Sequence, residues 1–195
     1  MDAYRHGIFP WPMPGHPLAW WSPDPRAILE FDRLYVSKRL ARTCRSGQFE
    51  VTCDRDFAGV VHGCATAQDR RYATWITRPL AAAYQRLHEL GHAHSVEAWQ
   101  DGQLVGGTYG IAVGALFAGE SMFHYVRDAS KVAIVHLVAH LRQRGYRMMD
   151  IQQLTPHMAS LGAQAVSRDE YLARLAEAVV QPVTFGEALE NGPRS

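Results

Sequence analysis

No run of eighteen apolar residues occurs anywhere in these 195 residues, so no segment reads as a membrane-spanning helix. Cysteine is scarce. Cys44, Cys53 and Cys64 are odd in number and lack C-x-x-C spacing. That fits reduced thiols in a cytosol better than a disulfide frame or a zinc knuckle. Charge of one sign is missing too: 20 Lys and Arg meet 19 Asp and Glu, for a net +1. Without a global field, any contact with a polyanion must use a local patch. The start, MDAYRHGIFPW, has no charged region followed by an apolar one, so it does not read as a secretion signal. No internal repeat and no low-complexity linker occur. Proline is rare beyond residue 25, because six of the ten (Pro10, Pro12, Pro14, Pro17, Pro23 and Pro25) fall before Arg26, beside Trp11, Trp20 and Trp21. Proline at that density forbids helix and central strand, so these residues read as an ordered, extended arm whose aromatics dock elsewhere.

What is present is enough apolar residue, 47%, to bury a core as one domain or somewhat more. From Arg26 onward short strands and helices alternate. RAILEF (26–31), QFEVTCD (48–54), ALFAG and MMDIQ read as strands. SVEAWQ and QLVGGTYGIAV flank Asp101-Gly102, a two-residue hairpin signal. Ser37 caps a short helix to Arg45, RDFAGVVHGCA suits a helix, and Thr77 with Pro79 starts another that Gly91 stops. Asp128 is expected to cap a largely buried helix closed by Gly145, and Ser167 a final amphipathic one. An antiparallel meander, a buried helix and a further strand predict an α+β domain with a mixed sheet.

Several constellations invite chemistry. His88-Glu89-Leu90-Gly91-His92 matches H-E-x-x-H, which zinc proteases use with both histidines on one helical face. Gly91 ends the helix, however, and no third ligand follows, so no metal site is assigned. The glycines of VGGTYGIAVG lie within strands, which excludes a P-loop and leaves a bulge or a close approach. Lys38, Arg39, Arg42 and Arg45 fall on one helical face, either as a solvated surface or as a phosphate-contacting stripe. Asp150 and Gln152 share one face of a strand, either at an exposed edge or as a carboxylate polarising an amide that orients a nucleophile. Finally, ALFAGESMFH (115–124) places Glu120 inside an apolar run. An unpaired carboxylate is expensive there, so it either meets water or serves a purpose.

YRHGIFPW (4–11), WWSPDPRAIL (20–29), TWIT (74–77), LHELGHAHSVEAW (87–99), LVGGTYG (104–110), FAGESMFH (117–124), DASK (128–131), DIQ (150–152) and SLGA (160–163) occur in order. Together they resemble the leucyl/phenylalanyl-tRNA–protein transferase family over residues 3 to 175. That family carries the same H-E-x-x-H stretch and is not a metalloprotease. The resemblance implies transfer of Leu or Phe, and sometimes Met, from charged tRNA to the α-amine of proteins beginning with Arg or Lys, marking them for degradation. It implies a GNAT-like acyltransferase domain over 26–195, preceded by the remnant of an N-terminal domain at 1–25. No cofactor is expected: no Gly-rich acetyl-CoA loop precedes the Asp128 helix, in keeping with tRNA as donor carrier. The protein is expected to be a cytoplasmic monomer whose partners are aminoacyl-tRNA and protein.

Residue by residue, the resemblance implies that Trp11 and Trp75 stack on the 3′-terminal adenosine, with Leu137 standing where an aromatic would complete that pocket. Thr108, Phe117, Met122, Ile134 and Met149 are the candidates for the Leu/Phe side-chain pocket. Asp150 would polarise Gln152, which positions or deprotonates the amine, and Glu120 would face the cationic acceptor. Lys38, Arg39, Arg42 and Arg45 match the family's tRNA-contacting helix. The family also carries a Gly-Gly-Asp-Leu segment before YRHGIFPW, whereas Met1 falls almost on that motif here. The alternative is a catalytically weakened tRNA- or degron-binding module of the same fold.

Overall fold

Before its first proline the arm makes one helical turn, α1 (Asp2–Arg5). Two short strands, β1 (Phe9–Trp11) and β2 (Ala19–Trp21), then pair antiparallel as a separate ribbon. The arm expected to be extended and helix-free therefore contains both kinds of element. Proline forbids a central strand, but a two-stranded ribbon has only edges. The computed structural model describes residues 1–13, 15–67 and 74–189, so Pro14 lies outside the described residues.

The body runs β3 (Arg26–Leu29), a 3-10 turn (Phe31–Arg33), α2 (Lys38–Arg45), β4 (Glu50–Cys53), α3 (Phe57–Thr66) and α4 (Arg78–Glu89). It continues with β5 (Ala93–Gln100), β6 (Gln103–Val113), β7 (Leu116–His124), α5 (Ala129–Gln143), β8 (Met148–Gln152), α6 (Pro156–Ala159), β9 (Gln164–Val166) and α7 (Arg168–Ala178). The expected caps form where hydroxyls precede helices: Ser37, Thr77 and Ser167 accept from Leu40, Leu80 and Glu170. Asp128 differs. It adopts φ +70° and makes no side-chain cap, because its carboxylate is taken by Arg39 of α2. Among the described residues no helix is long and apolar enough to cross a membrane.

The main sheet is mixed, in the order β4-β5-β6-β7-β8-β3-β9. Only β7 and β8 run parallel. α5 packs on one face over Leu29, Val96, Phe117 and Met149. α3 and α4 cover Tyr109, Ile111, Ala118 and Phe123 on the other. α7 closes the β3–β8 end through Tyr171 and Leu175 against Ile28 and Met148. β8 is thus interior, which rules out the exposed-edge reading of Asp150 and Gln152.

Two irregularities position the site. In β7, Tyr109 pairs with Ser121 but Gly110 pairs with Gly119, so Glu120 is the extra residue of a bulge. Gly110 is required there, since a Cβ would sit 2.3 Å from the Ala118 carbonyl oxygen. In β8, Ile28 pairs with Asp150 but Ala27 with Gln152, so Ile151 is extra, and Gln152 takes φ +59°. β7 and β8 pair only over Leu116–Ala118 and Met148–Asp150. Beyond that point both strands bulge and part.

Candidate active site between the splayed strands

A cavity of about 490 Å³ opens where β7 and β8 separate. Thr108, Met122, Met149, Ile151 and Met158 form its apolar wall. The Thr108 hydroxyl is occupied within the sheet, donating to the Ser121 carbonyl at 3.0 Å. A Cβ on Gly119 would lie 2.5 Å from Met149 Cε, so the absence of a side chain there lets Met149 reach across the splay. Trp11 and Trp75 form another wall, their rings 5.8 Å apart and inclined by 17°, stacked on one another.

Glu120 lines the same cavity, and the bulge turns it toward the α4 side. Tyr84 donates to its Oε2 at 2.6 Å, while Oε1 is enclosed and has no partner in hydrogen-bond geometry among the described residues; the Tyr4 phenol, close enough to lower the Glu120 pKa, is likewise unbonded. Burial pushes the Glu120 pKa up to about 7, although Tyr84 and Tyr4 pull against it. The phenols of Tyr4, Tyr84 and Tyr109 are raised in turn, first by burial and then by neighbours that include Glu120. Glu120 is half-buried on the cavity wall with Oε1 enclosed, and its raised pKa is matched to proton transfer near neutral pH.

Asp150 has a different surrounding. It is buried beneath the cavity and does not line it. Arg26 Nε donates to Oδ1 (2.9 Å) and Arg26 Nη2 to Oδ2 (2.6 Å); Tyr171 donates to Oδ2 (3.0 Å) and the Gln152 backbone N–H to Oδ1 (2.9 Å). Its lone pairs are fully used. The expectation that Asp150 polarises the Gln152 amide is corrected accordingly. The contact runs through the Gln152 main chain, and the bulge at Ile151 breaks the alternation that would have put both side chains together. Gln152 itself lines the cavity, with Nε2 enclosed and unpartnered among the described residues.

Arg26, only 1% exposed, is held between the rings of Phe9 (4.9 Å) and Tyr171 (4.4 Å). Its Nη1 donates to the Gly7 carbonyl at 2.9 Å. Burial works against its charge, but the bonded Asp150 outweighs that and raises its pKa. Sequence reading saw Arg26 only as the head of a strand. A lone cation leading an otherwise apolar strand was the available signal.

Three expected pocket residues lie elsewhere. Phe117, Ile134 and Leu137 are sealed in the core between α5 and the sheet and do not line the cavity. Apolar periodicity cannot separate a cavity wall from a core one layer deeper. Lys38, Arg39, Arg42 and Arg45 are exposed on α2, away from the cavity wall, with Arg39 bonded to Asp128. The H-E-x-x-H histidines serve the fold: Gly91, at φ +74°, follows the helix end and leaves His92 exposed. His88 Nδ1 donates to the Ala93 carbonyl (2.9 Å), and His94 Nδ1 lies 2.7 Å from Asp54. Tyr4, Tyr84, His124, Ser130 and His157 carry no site signal in the sequence, and only the tertiary fold brings them to the site.

This arrangement has relatives. A family model described as leucyl/phenylalanyl-tRNA protein transferase matches residues 28–176, and its N-terminal-domain counterpart matches residues 1–24. The leucyl/phenylalanyl-tRNA–protein transferase of Chromohalobacter salexigens is 53% identical over 182 residues, spanning 93% of this chain and 71% of the relative. That of Solidesulfovibrio magneticus is 55% identical over 176 residues, spanning 90% and 71%. Among solved structures, a GCN5-related N-acetyltransferase from Kribbella flavida aligns with a TM-score of 0.44 and 11% identity, over 84% of this chain and 58% of that one. By the extent of both the model match and the identity, the chain belongs to the leucyl/phenylalanyl-tRNA–protein transferase family.

Proposed function

We propose that this aminoacyltransferase moves Leu or Phe, and possibly Met as a third donor, from its tRNA ester to the α-amine of proteins beginning with Arg or Lys, and so marks them for degradation. The observation that carries the reading is the cavity itself, which sets an apolar wall beside a half-satisfied carboxylate and two tryptophan faces. Trp11 and Trp75 offer faces on which an unpaired 3′-terminal adenine stacks. Thr108, Met122 and Met149 receive the Leu or Phe side chain, with Phe117 and Ile134 packed behind them. Such a wall discriminates weakly among hydrophobes and strongly against charge.

In the transfer, an acceptor ammonium docks at Glu120 and loses a proton to the unmet Oε1. The free amine attacks the ester carbonyl, forming the C–N bond and a tetrahedral oxyanion. The Gln152 amide, enclosed and unpartnered, supplies an N–H toward that oxygen. Collapse breaks the C–O bond and expels the ribose 3′ oxygen, which takes the extra proton of the attacking nitrogen, leaving a neutral amide and deacylated tRNA, while Glu120 returns its own proton to water. Asp150 acts through the backbone, holding Gln152 in its left-handed conformation. The exposed stripe Lys38, Arg39, Arg42 and Arg45 contacts tRNA phosphates, in cytoplasm and on a monomer. We also read 1–25 as the end of an N-terminal domain and 26–195 as the GNAT-like transferase domain. The two family models, which part between residues 24 and 28, support that division.

The test is direct. The protein, Phe-tRNA and a peptide beginning with Arg should yield a peptide beginning Phe-Arg, and a peptide beginning with Asp should not react. Intact tRNA binding with no product would overturn the enzyme reading in favour of a binding module.

A further inference from the structure

The cavity's two ends differ in charge. Glu120 stands at one. The other is bounded by His124 at the end of β7, Ser130 in the first turn of α5 and His157 in α6. Ser130 is buried, with its Oγ 3.5 Å from His124 Nδ1. His157 Nε2 is enclosed and has no hydrogen-bond partner among the described residues. Lys131 reaches the same corner: its ammonium donates to Ser160 Oγ (3.1 Å), which donates to the His157 carbonyl (2.6 Å). Burial, then Lys131 and His124, hold the His157 pKa below the ordinary imidazole value. The carboxylate at this end of α5, Asp128, is already engaged by Arg39, and that bond chiefly lowers its pKa.

A corner of N–H and O–H donors with an unmet, enclosed imidazole is built for an acceptor-only anion. We propose that His157, His124, Ser130 and Lys131 form a phosphate subsite for the phosphodiester on the 5′ side of the donor's terminal adenosine. The inference rests on the function proposed above and gives that donor a second anchor. The Arg39–Asp128 pair ties α2 to the start of α5, the helix whose first turn supplies Ser130 and Lys131. No bond is made or broken at the subsite.

Two non-hydrolysable donors test it: 3′-deoxy-3′-(phenylalanylamino)adenosine with and without a 5′-(methyl phosphate), with binding measured at low salt. The phosphate should improve affinity about tenfold, an advantage supplied by the Lys131 ammonium and the neutral N–H and O–H donors of the corner. Lys131→Ala should shrink the advantage, and His157→Ala with Lys131→Ala should abolish it, read as the ratio of the two compounds' affinities within each variant. Equal affinities for the two compounds, or an advantage untouched by these variants, would overturn the subsite and leave the transfer reaction standing. Failure of both compounds to bind would overturn the donor reading and the subsite together.

Discussion

Glu120 and Asp150 stand on neighbouring strands, Glu120 within a bulge and half-buried, Asp150 beside one and buried, and their environments are opposite. Asp150 accepts four hydrogen bonds, two of them from a guanidinium. Glu120 accepts one from Tyr84 and keeps an oxygen unmet. Burial alone therefore does not mark a reactive carboxylate; incomplete satisfaction does. A buried charge with every lone pair used is a strut, whereas one with an oxygen unmet is available to a ligand.

The largest test of that contrast removes the strut's partner. Arg26→Met leaves Asp150 buried and uncompensated and should cost about 3–5 kcal/mol in denaturant unfolding. Adding Asp150→Leu should recover most of it, and recovered stability with partial transfer activity would mark the pair as framework. A loss below about 1 kcal/mol would erase the contrast. Next, Glu120→Gln should leave stability within about 1 kcal/mol while lowering transfer to Arg-starting peptides about a hundredfold. Its KM for charged tRNA should barely move, and a change confined to tRNA would assign Glu120 to the wrong substrate.

A smaller effect separates the two carboxylates by pH. Glu120 has a folded pKa of about 7, above its ordinary value of 4.5. The native state thus binds this proton more readily than the unfolded chain. Its contribution to stability is full below about pH 4.5 and is lost as pH rises through about 7. Unfolding free energies at pH 5 and pH 8 should therefore differ more in the natural chain than in Glu120→Gln. Smallest of all is Tyr84→Phe, which removes a bond that lowers the Glu120 pKa. It should cost about 1 kcal/mol and move the acid limb of the rate profile to higher pH.

Local chemistry made much of the fold legible. Asp101 and Gly102 both take positive φ (51° and 73°) in the β5–β6 hairpin their pairing announces, and the hydroxyl caps fall where expected. The three-residue strands β1, β2 and β9 were not legible, because so few residues carry no period. At the site, the anomaly of Glu120 was visible but its cause was not. A bulge depends on the register of two strands, and nothing within ALFAGESMFH records the partner. Arg26 and Asp150 lie 124 positions apart, so their pairing belongs to the fold rather than to any segment. Phe117, Ile134 and Leu137 were apolar as expected, but their depth is a property of packing.

The hydrogen bond from Arg26 to the Gly7 carbonyl has a consequence for affinity. It ties the segment bearing Trp11 to the guanidinium that braces Asp150 and, through it, Gln152. Release of the arm would strip Trp11 from the proposed donor site and bare a buried cation in one step. Docking of the arm and readiness for the donor are then one equilibrium, and the apparent donor affinity is the intrinsic affinity scaled by the docked fraction. A change in residues 1–10 that touches no substrate would register as weaker tRNA binding.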